Sequence, residues 1–154
     1  MPTISPDDPR REDVRVLLAT HLEFANSHSH PEDVHALDAD GLTDPAVTFF
    51  SARDEDGRLL GVGALKVLDA EHGELKSMHT TSAARGLGVG AAMVARLLEA
   101  ARERGLGRVS LETGSMAAFA PARRLYERTG FVECAPFGDY RPRRASMFMT
   151  RTTE

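Results

Sequence analysis

The sequence predicts a single domain of the α/β class with a mixed sheet, and three observations lead to that class. Two apolar segments at 47–53 and 59–68, separated by a short polar turn, predict an antiparallel hairpin. A long amphipathic segment at 88–104 lies between predicted strands at 74–81 and 108–113, and this order predicts a parallel pair joined by a right-handed crossover. The 154 residues, 42% hydrophobic and 27% charged, suit one domain with one sizeable core.

The remaining elements follow from apolar spacing and from helix start and stop signals. Apolar residues at helical spacing predict an amphipathic helix at 10–25. Pro31 marks the start of a short second helix at 31–37. Further helical spacing predicts a helix at 117–128, and an apolar run predicts a last strand at 145–150.

The predicted strand at 74–81 is unusually polar for the interior of a sheet. Strict alternation puts Glu74 and Lys76 on one face and His79 on the other. Polar side chains on both faces need hydrogen-bond partners or water. A strand that lines a cleft would meet that need.

Composition limits the partners of the chain. A formal net charge of −4 with scattered arginines gives no electrostatic basis for nucleic-acid binding. A polar N-terminus and the lack of an apolar run of roughly 18 to 20 residues predict no membrane segment, so a cytoplasmic location is expected.

Cysteine and histidine content limits redox and metal chemistry. Cys134 is the single cysteine, which excludes an internal disulfide and favours a packing role. His28, His30 and His35 lack an accompanying ligand set with recognised spacing, so no metal site is expected.

A glycine-rich run at 85–91, with the sequence Arg-Gly-Leu-Gly-Val-Gly-Ala, joins a predicted strand to the start of a helix. The first-turn N–H groups of a helix and its positive dipole end favour an anion, and glycines let a ligand approach the backbone closely. The run therefore predicts a phosphate-binding junction.

Known glycine-loop motifs differ in how well they fit this run. A P-loop is excluded, because no lysine and hydroxyl residue follow Gly90. The dinucleotide pattern GxGxxA is formally satisfied at 86–91, with Glu112 at the distance of a ribose-binding acid. A dinucleotide domain needs more crossover units than the one predicted here, so this alternative is open but disfavoured.

Two motifs resemble the GNAT acyltransferase superfamily. The run from Arg85 to Gly90 matches its R/Q-x-x-G-x-G/A pyrophosphate loop, and residues 122–131 resemble its A-x-x-L-Y-E-x-x-G-F segment. The chain departs from the family pattern at Phe119, where asparagine is frequent, and at Ser82, where proline is frequent. The resemblance implies a mixed sheet of about six or seven strands flanked by about four helices.

The resemblance also implies a domain organisation and a co-substrate. One domain would span 1–154, with acceptor-side helices in 1–45 and the sheet and acetyl-CoA-binding core in 46–150. Acetyl-CoA would lie between the two central parallel strands, its pantetheine arm on the first strand and its pyrophosphate on the glycine loop. The implied cofactor-binding residues are Met78, His79, Thr80, Arg85, Gly86, Leu87, Gly88, Val89, Gly90, Ala91 and Tyr126.

Catalytic roles follow from the same resemblance. Tyr126 would be the general acid that protonates the CoA thiolate, although helical spacing also suits a core tyrosine. Glu74 is the first candidate for general base, with a salt bridge to Lys76 or to a surface arginine as its alternative role. His79 is the second candidate because its ordinary pKa is near neutral, and Glu112 is the third.

The implied activity is acetyl transfer from acetyl-CoA directly to a primary amine, with a small molecule as the expected acceptor. No serine or cysteine lies in a recognisable nucleophile motif, which argues against a covalent intermediate. Members of the family often pair through their late strands, so a homodimer is compatible with the sequence. A non-catalytic acyl-CoA sensor is the alternative from a different functional class.

Overall fold

The computed structural model describes residues 2–28 and 39–154, so the helix predicted at 31–37 lies outside the described residues. Within them the chain forms a seven-stranded mixed sheet and three α-helices, which confirms the predicted α/β class. The elements are β1 (Thr3–Pro6), α1 (Glu12–His28), β2 (Val47–Arg53), β3 (Leu59–Val67), β4 (His72–Thr80), α2 (Val89–Glu103), β5 (Arg108–Gly114), α3 (Ala120–Arg128), β6 (Val132–Cys134) and β7 (Ser146–Thr152).

The sheet has the strand order β1-β2-β3-β4-β5-β7-β6. The hairpin of β2 and β3 is antiparallel, and β4 and β5 are parallel, as the sequence predicts. The parallel pairing runs only from His72 to Leu75 on β4 and from Arg108 to Leu111 on β5. Beyond these residues the two strands separate, although each continues for several residues. The centre of the sheet therefore opens into a V-shaped gap.

Two edge strands, β1 and β6, are absent from the sequence-based prediction. Each is short, and each has one neighbour in the described sheet. Their side chains are mostly exposed or half-buried, so they lack the apolar run that marks a central strand. Short, half-exposed strands of this kind form because a longer neighbour offers a ladder of hydrogen bonds.

Each face of the sheet is covered by a helix that buries one apolar stripe. On α2, Met93, Leu97 and Ala101 recur at intervals of four residues and are buried. On the opposite face, Val14 and Leu18 of α1 belong to a second buried cluster that includes β3 side chains. Burying each such large apolar side chain contributes about 1.5–3 kcal/mol, which fixes both helices against the sheet.

A β-bulge at Ser77 changes the phase of β4. Lys76 pairs with Ala64 of β3 and His79 pairs with Val62, so one β3 residue faces two residues of β4. Ser77 has a φ of +57° at this point. Because alternate residues of β3 share a face, His79 lies on the same face as Lys76 and Glu74. The alternation predicted from the sequence, which placed His79 on the face opposite Glu74, is therefore wrong.

Arg53 ties β2 to the segment after β1 and to α1. Its guanidinium lies 2.9 Å from the Asp7 carboxylate and 2.6 Å from the Asp13 carboxylate. The Arg53 side chain is 15% exposed and that of Asp7 is 8% exposed. Removal of the cation would leave the buried Asp7 carboxylate with Ser51 and with the more distant Arg11, at 3.5 Å, and loss of the nearer charge is the costly way to break an ion pair.

We expect Arg53→Met to lower the free energy of unfolding by about 3 kcal/mol, measured by urea denaturation. The matched control is Arg10→Met, because Arg10 and Asp8 form an exposed pair. That control should leave the free energy of unfolding almost unchanged, because solvent screens an exposed pair. An equal loss in both variants would contradict a structural role for the Arg53 cluster.

Acid should weaken the same cluster. Burial alone would raise the pKa of Asp7, but hydrogen bonds from Ser51 and Arg53 hold it below the ordinary value of 3.8. A hydrogen bond from Arg53 likewise lowers the pKa of Asp13. A lowered folded-state pKa gives stability that is present above the ordinary value and lost as the pH falls through the folded value. Acid titration of Arg53→Met should therefore show a smaller loss below pH 3.8 than the wild type.

Candidate active site

A cavity of about 380 Å³ occupies the gap between β4 and β5. Its lining includes His21 and Phe24 of α1 from one side of the sheet, and Val89 of α2 and Tyr126 of α3 from the other. The cavity therefore connects the two faces of the sheet through the gap. A cleft of this form lets two molecules meet inside the sheet while each enters from its own side.

The glycine loop leads from β4 into α2 beside this cavity. Gly88 caps the helix with a φ of +82°, and Gly86 has a φ of +80°, conformations that favour glycine. The amides of the first turn of α2 have no acceptor within the helix. A Cβ on Gly90 would lie 2.9 Å from Leu125 Cδ2, so this glycine lets α2 and α3 pack closely.

The predicted cofactor-binding residues divide into two groups by position. The cavity is lined by Met78, His79, Thr80, Arg85, Val89, Gly90 and Tyr126. The adjoining loop and first helical turn contain Gly86, Leu87, Gly88 and Ala91. Both groups lie at the same end of the gap, since β4 runs directly into the loop.

Tyr126 both packs in the core and lines the cavity. Its side chain is 6% exposed, and its ring makes an edge-to-face contact with Phe131 at a centroid distance of 5.8 Å. Burial raises the pKa of Tyr126 well above its ordinary value of 10.0. The hydroxyl therefore carries its proton at neutral pH, and the same burial makes it a weaker acid than an exposed tyrosine.

Glu74 lies at the base of the gap in a closed polar network. Its Oε2 accepts hydrogen bonds from Lys76 Nζ at 3.2 Å and from the Tyr140 hydroxyl at 2.5 Å. Lys76 Nζ also donates to the Tyr140 oxygen at 2.9 Å. Burial, followed by the charge of Glu74, raises the pKa of Tyr140. The ion pair with Lys76 that the sequence left as an alternative is thus present.

Glu112, the third candidate base, lines the cavity from β5. It accepts a hydrogen bond from Ser146 Oγ at 2.9 Å, and Ser146 also lines the cavity. Glu112 pairs with Phe148 of β7 across the sheet, next to the ring cluster formed by Phe137 and Tyr140. The carboxylate therefore lies on the same face of the sheet as Glu74.

A pair of histidines closes the α1 side of the cavity. His21 Nδ1 lies 3.1 Å from His79 Nδ1, and both side chains are partly buried. Burial, with a smaller contribution from His79, lowers the pKa of His21 to about 4. Burial and then the charge of Arg85 lower the pKa of His79 below its ordinary value of 6.5. Both rings are therefore neutral at neutral pH.

His21 is not among the site residues predicted from the sequence, although the sequence contains a signal for it. His21 follows Val14, Leu17 and Leu18 at the spacing of the apolar stripe of α1. A polar residue in such a stripe must find a partner when the helix packs. The partner, His79, could not be identified because the bulge places it on this face.

Residues 2–28 and 39–154 contain no group of three or more histidine, cysteine or acidic side chains placed to hold a metal ion. His30 and His35 lie outside the described residues. No helix within the described part of the chain is long and apolar enough to cross a membrane.

Comparisons with known proteins identify the class. The acetyltransferase (GNAT) family model matches residues 13–131. YsnE of Bacillus subtilis (strain 168) is 46% identical over 148 residues, which cover 96% of this chain and 97% of the relative. YedL of Escherichia coli (strain K12) is 43% identical over 150 residues, which cover 97% and 94%. Both are named uncharacterized N-acetyltransferases.

A solved structure shows the same fold in a protein with bound cofactor. Spermidine N-acetyltransferase from Vibrio cholerae, in complex with CoA and spermine, has a TM-score of 0.71 and 18% identity, with coverage of 99% of this chain and 95% of that one. Together the matches define an acetyltransferase, as predicted. The chain belongs to the acetyltransferase (GNAT) family.

Proposed function

We propose that this chain transfers the acetyl group of acetyl-CoA directly to a primary amine of a small molecule. One observation carries the proposal. The cavity in the gap between β4 and β5 extends from the glycine loop, past Tyr126, to the polar groups of β4 on the α1 side. A thioester held in the gap would therefore lie between the anion-binding glycine loop and the titratable side chains Glu74 and His79 of β4.

Acetyl-CoA would be held mainly by backbone groups. The pyrophosphate would accept hydrogen bonds from the amides between Arg85 and Ala91, at the positive end of α2. The pantetheine arm would run along Met78, His79 and Thr80, which follow the last residue of β4 that pairs with β5 in the described sheet. Their β5-facing backbone groups lack a strand partner there, which favours a ligand as the partner. CoA in the Vibrio cholerae relative is consistent with this choice.

The proposed reaction has one chemical step with balanced proton transfers. The acceptor ammonium loses a proton to a general base, and the neutral amine attacks the thioester carbon. The C–N bond forms, the C–S bond breaks, and the nitrogen gives its second proton to the same base, which passes both protons on to solvent. Tyr126 protonates the departing thiolate and regains a proton from solvent. Glu74 and His79 are the candidate proton acceptors, because both line the cavity on the α1 face.

The shape of the acceptor side supports a small substrate. Phe24 of α1 and Phe119 of the turn before α3 make an edge-to-face contact at 5.2 Å beside the cavity. Glu112 adds an acidic group that attracts an ammonium ion. The division into an acceptor-side part at 1–45 and a cofactor core at 46–150 stays a prediction, as do the homodimer and the cytoplasmic location.

Calorimetry and a thiol-release assay test the proposal. Acetyl-CoA and NADH are titrated separately into the protein, and CoA release is then followed with spermidine, kanamycin, tyramine and free amino acids as acceptors. We expect micromolar binding of acetyl-CoA and CoA release with at least one amine. Preference for NADH would contradict the proposal and favour the dinucleotide alternative. Tight acetyl-CoA binding without release for any amine would favour the non-catalytic sensor.

A further inference from the structure

The contact between His21 and His79 joins two nitrogens of the same type. Nδ1 of one ring lies 3.1 Å from Nδ1 of the other. A hydrogen bond at this distance needs a proton on one nitrogen and a lone pair on the other, so the rings must be opposite tautomers. The choice of donor decides which ring has a lone pair on Nε2, its second nitrogen.

We propose that His79 accepts the proton of the acceptor amine at Nε2 and that His21 is a positioning residue that holds His79 in the tautomer this requires. The inference rests on the proposed acetyl transfer and selects between its two candidate bases. His79 would donate from Nδ1 to Nδ1 of His21, which leaves the lone pair of His79 on Nε2. When Nε2 takes the proton, the same hydrogen bond stabilises the imidazolium.

The surroundings of the two rings favour this direction of the hydrogen bond. His21 lies on α1 and, like His79, lines the cavity, but burial lowers its pKa to about 4, so it stays neutral and can accept the proton of His79 Nδ1. His79 lines the cavity, and its Nε2 makes no hydrogen bond to another residue of the described chain. Phe24 contacts the His79 ring edge-to-face at 6.4 Å and limits its rotation. The ring is thus oriented by one polar and one aromatic neighbour.

Glu74 is less suited to receive the proton. Its Oε2 accepts hydrogen bonds from both Lys76 and Tyr140, and its side chain is nearly fully buried. Both hydrogen bonds fall on Oε2, so this oxygen is not open to the acceptor amine. The network instead fixes β4 at Glu74 and Lys76, directly before the bulge at Ser77 that turns His79 to the same face.

Proton transfer in this arrangement is balanced without a further reactant. The acceptor ammonium gives one proton to His79 Nε2 and becomes the nucleophilic amine. His79 passes this proton to solvent. After the C–N bond forms, the nitrogen gives its second proton to His79 Nε2, and Tyr126 protonates the thiolate as the C–S bond breaks. His79 then releases the second proton to solvent, and Tyr126 regains one from it. The charged and titratable groups near His79 are His21 on α1, Arg85 after β4, Glu74 and Lys76 on the same face of β4, and Glu112 and Tyr140 across the gap.

Nitrogen-15 NMR of the imidazole rings tests the tautomers without a substrate. At neutral pH we expect His79 to be protonated at Nδ1 and His21 at Nε2. Signals are assigned with His21→Asn and His79→Gln, and His72→Gln identifies a third ring that lies outside the cavity. His79 protonated at Nε2 would overturn the inference, because no lone pair would then be available to the amine.

Steady-state kinetics test the role of His21, with the best amine of the thiol-release panel. His79→Gln should lower kcat about 100-fold or more. His21→Leu should lower kcat by about tenfold or more through loss of orientation. It should also move the acidic limb of the pH–kcat profile to lower pH, because loss of the hydrogen-bond acceptor lowers the pKa of His79. In His21→Asn the amide oxygen can accept the Nδ1 proton of His79. This variant should therefore keep kcat and the position of the acidic limb close to their wild-type values.

The outcomes separate this inference from the proposed function. His72→Gln, bonded in the wild type to Ser110, should leave the acidic limb in place. A loss of kcat in His21→Leu with an unmoved limb would mean that His21 only supports the fold. CoA release that is unaffected by His79→Gln would overturn the inference and leave acetyl transfer intact. Failure of every amine would count against the proposed function itself.

Discussion

Replacing Gly88 with aspartate is expected to weaken acetyl-CoA binding about 100-fold or more, measured by calorimetry. Gly88 caps α2 with a φ of +82°, and the amides of the first helical turn follow it directly. A carboxylate at a helix N-cap can accept hydrogen bonds from those amides, so it would compete with the pyrophosphate for the same donors. Its charge would also repel the phosphate oxygens.

Two further variants separate charge from backbone strain. Gly88→Asn has a neutral side chain and tolerates positive φ to a similar degree, so its loss of affinity should be smaller. Gly57→Asp adds the same side chain at a φ of +81° in the turn between β2 and β3, with open space around it. That control should bind acetyl-CoA like the wild type. Unchanged binding in Gly88→Asp would place the pyrophosphate somewhere other than this loop.

Replacing Tyr126 with phenylalanine is expected to lower kcat about 100-fold or more while the Kd for acetyl-CoA stays unchanged. The substitution removes the hydroxyl that would protonate the thiolate and retains the ring that packs on Phe131. The free energy of unfolding should change by less than about 1 kcal/mol, since no side-chain cavity forms. Thiol release under saturating substrates and calorimetry measure the two quantities.

Tyr140→Phe is the matched control, because it removes a hydroxyl from the other side of the sheet. This hydroxyl donates to the buried Glu74, and its loss should cost about 1.5–3 kcal/mol of stability. Tyr126→Phe should therefore affect mainly kcat, whereas Tyr140→Phe should affect mainly the free energy of unfolding. A wild-type kcat in Tyr126→Phe would assign thiolate protonation to water or to another group.

Much of the architecture could be predicted because its signals are local. The hairpin strand Val47–Arg53 has its predicted bounds, and α2 differs by one residue at each end from the prediction at 88–104. Glycines with positive φ and a continuous apolar stripe specify these elements without reference to distant residues. The edge strands β1 and β6 could not be predicted, because their pairing depends on β2 and β7.

The site was predictable only where its residues are close in sequence. The glycine loop and Tyr126 lie in recognisable segments, and the structure brings Arg85, Gly90 and Tyr126 to one cavity. The contact between His21 and His79 spans 58 residues and depends on a one-residue irregularity in β4. Period-two alternation assumes an unbroken ladder, so it assigns His79 to the wrong face.

The bulge at Ser77 reverses the side-chain alternation along β4. Before it, even-numbered residues point toward the α1 face, and after it, the odd-numbered His79 does so. A regular strand would separate any two residues on one face by an even number of positions. The inserted residue allows spacings of three and five on one face, so Lys76 and Glu74, three and five residues before His79, lie on the same face as His79. Polar groups can thus be concentrated on the substrate side while Met78 remains packed against the core on the other.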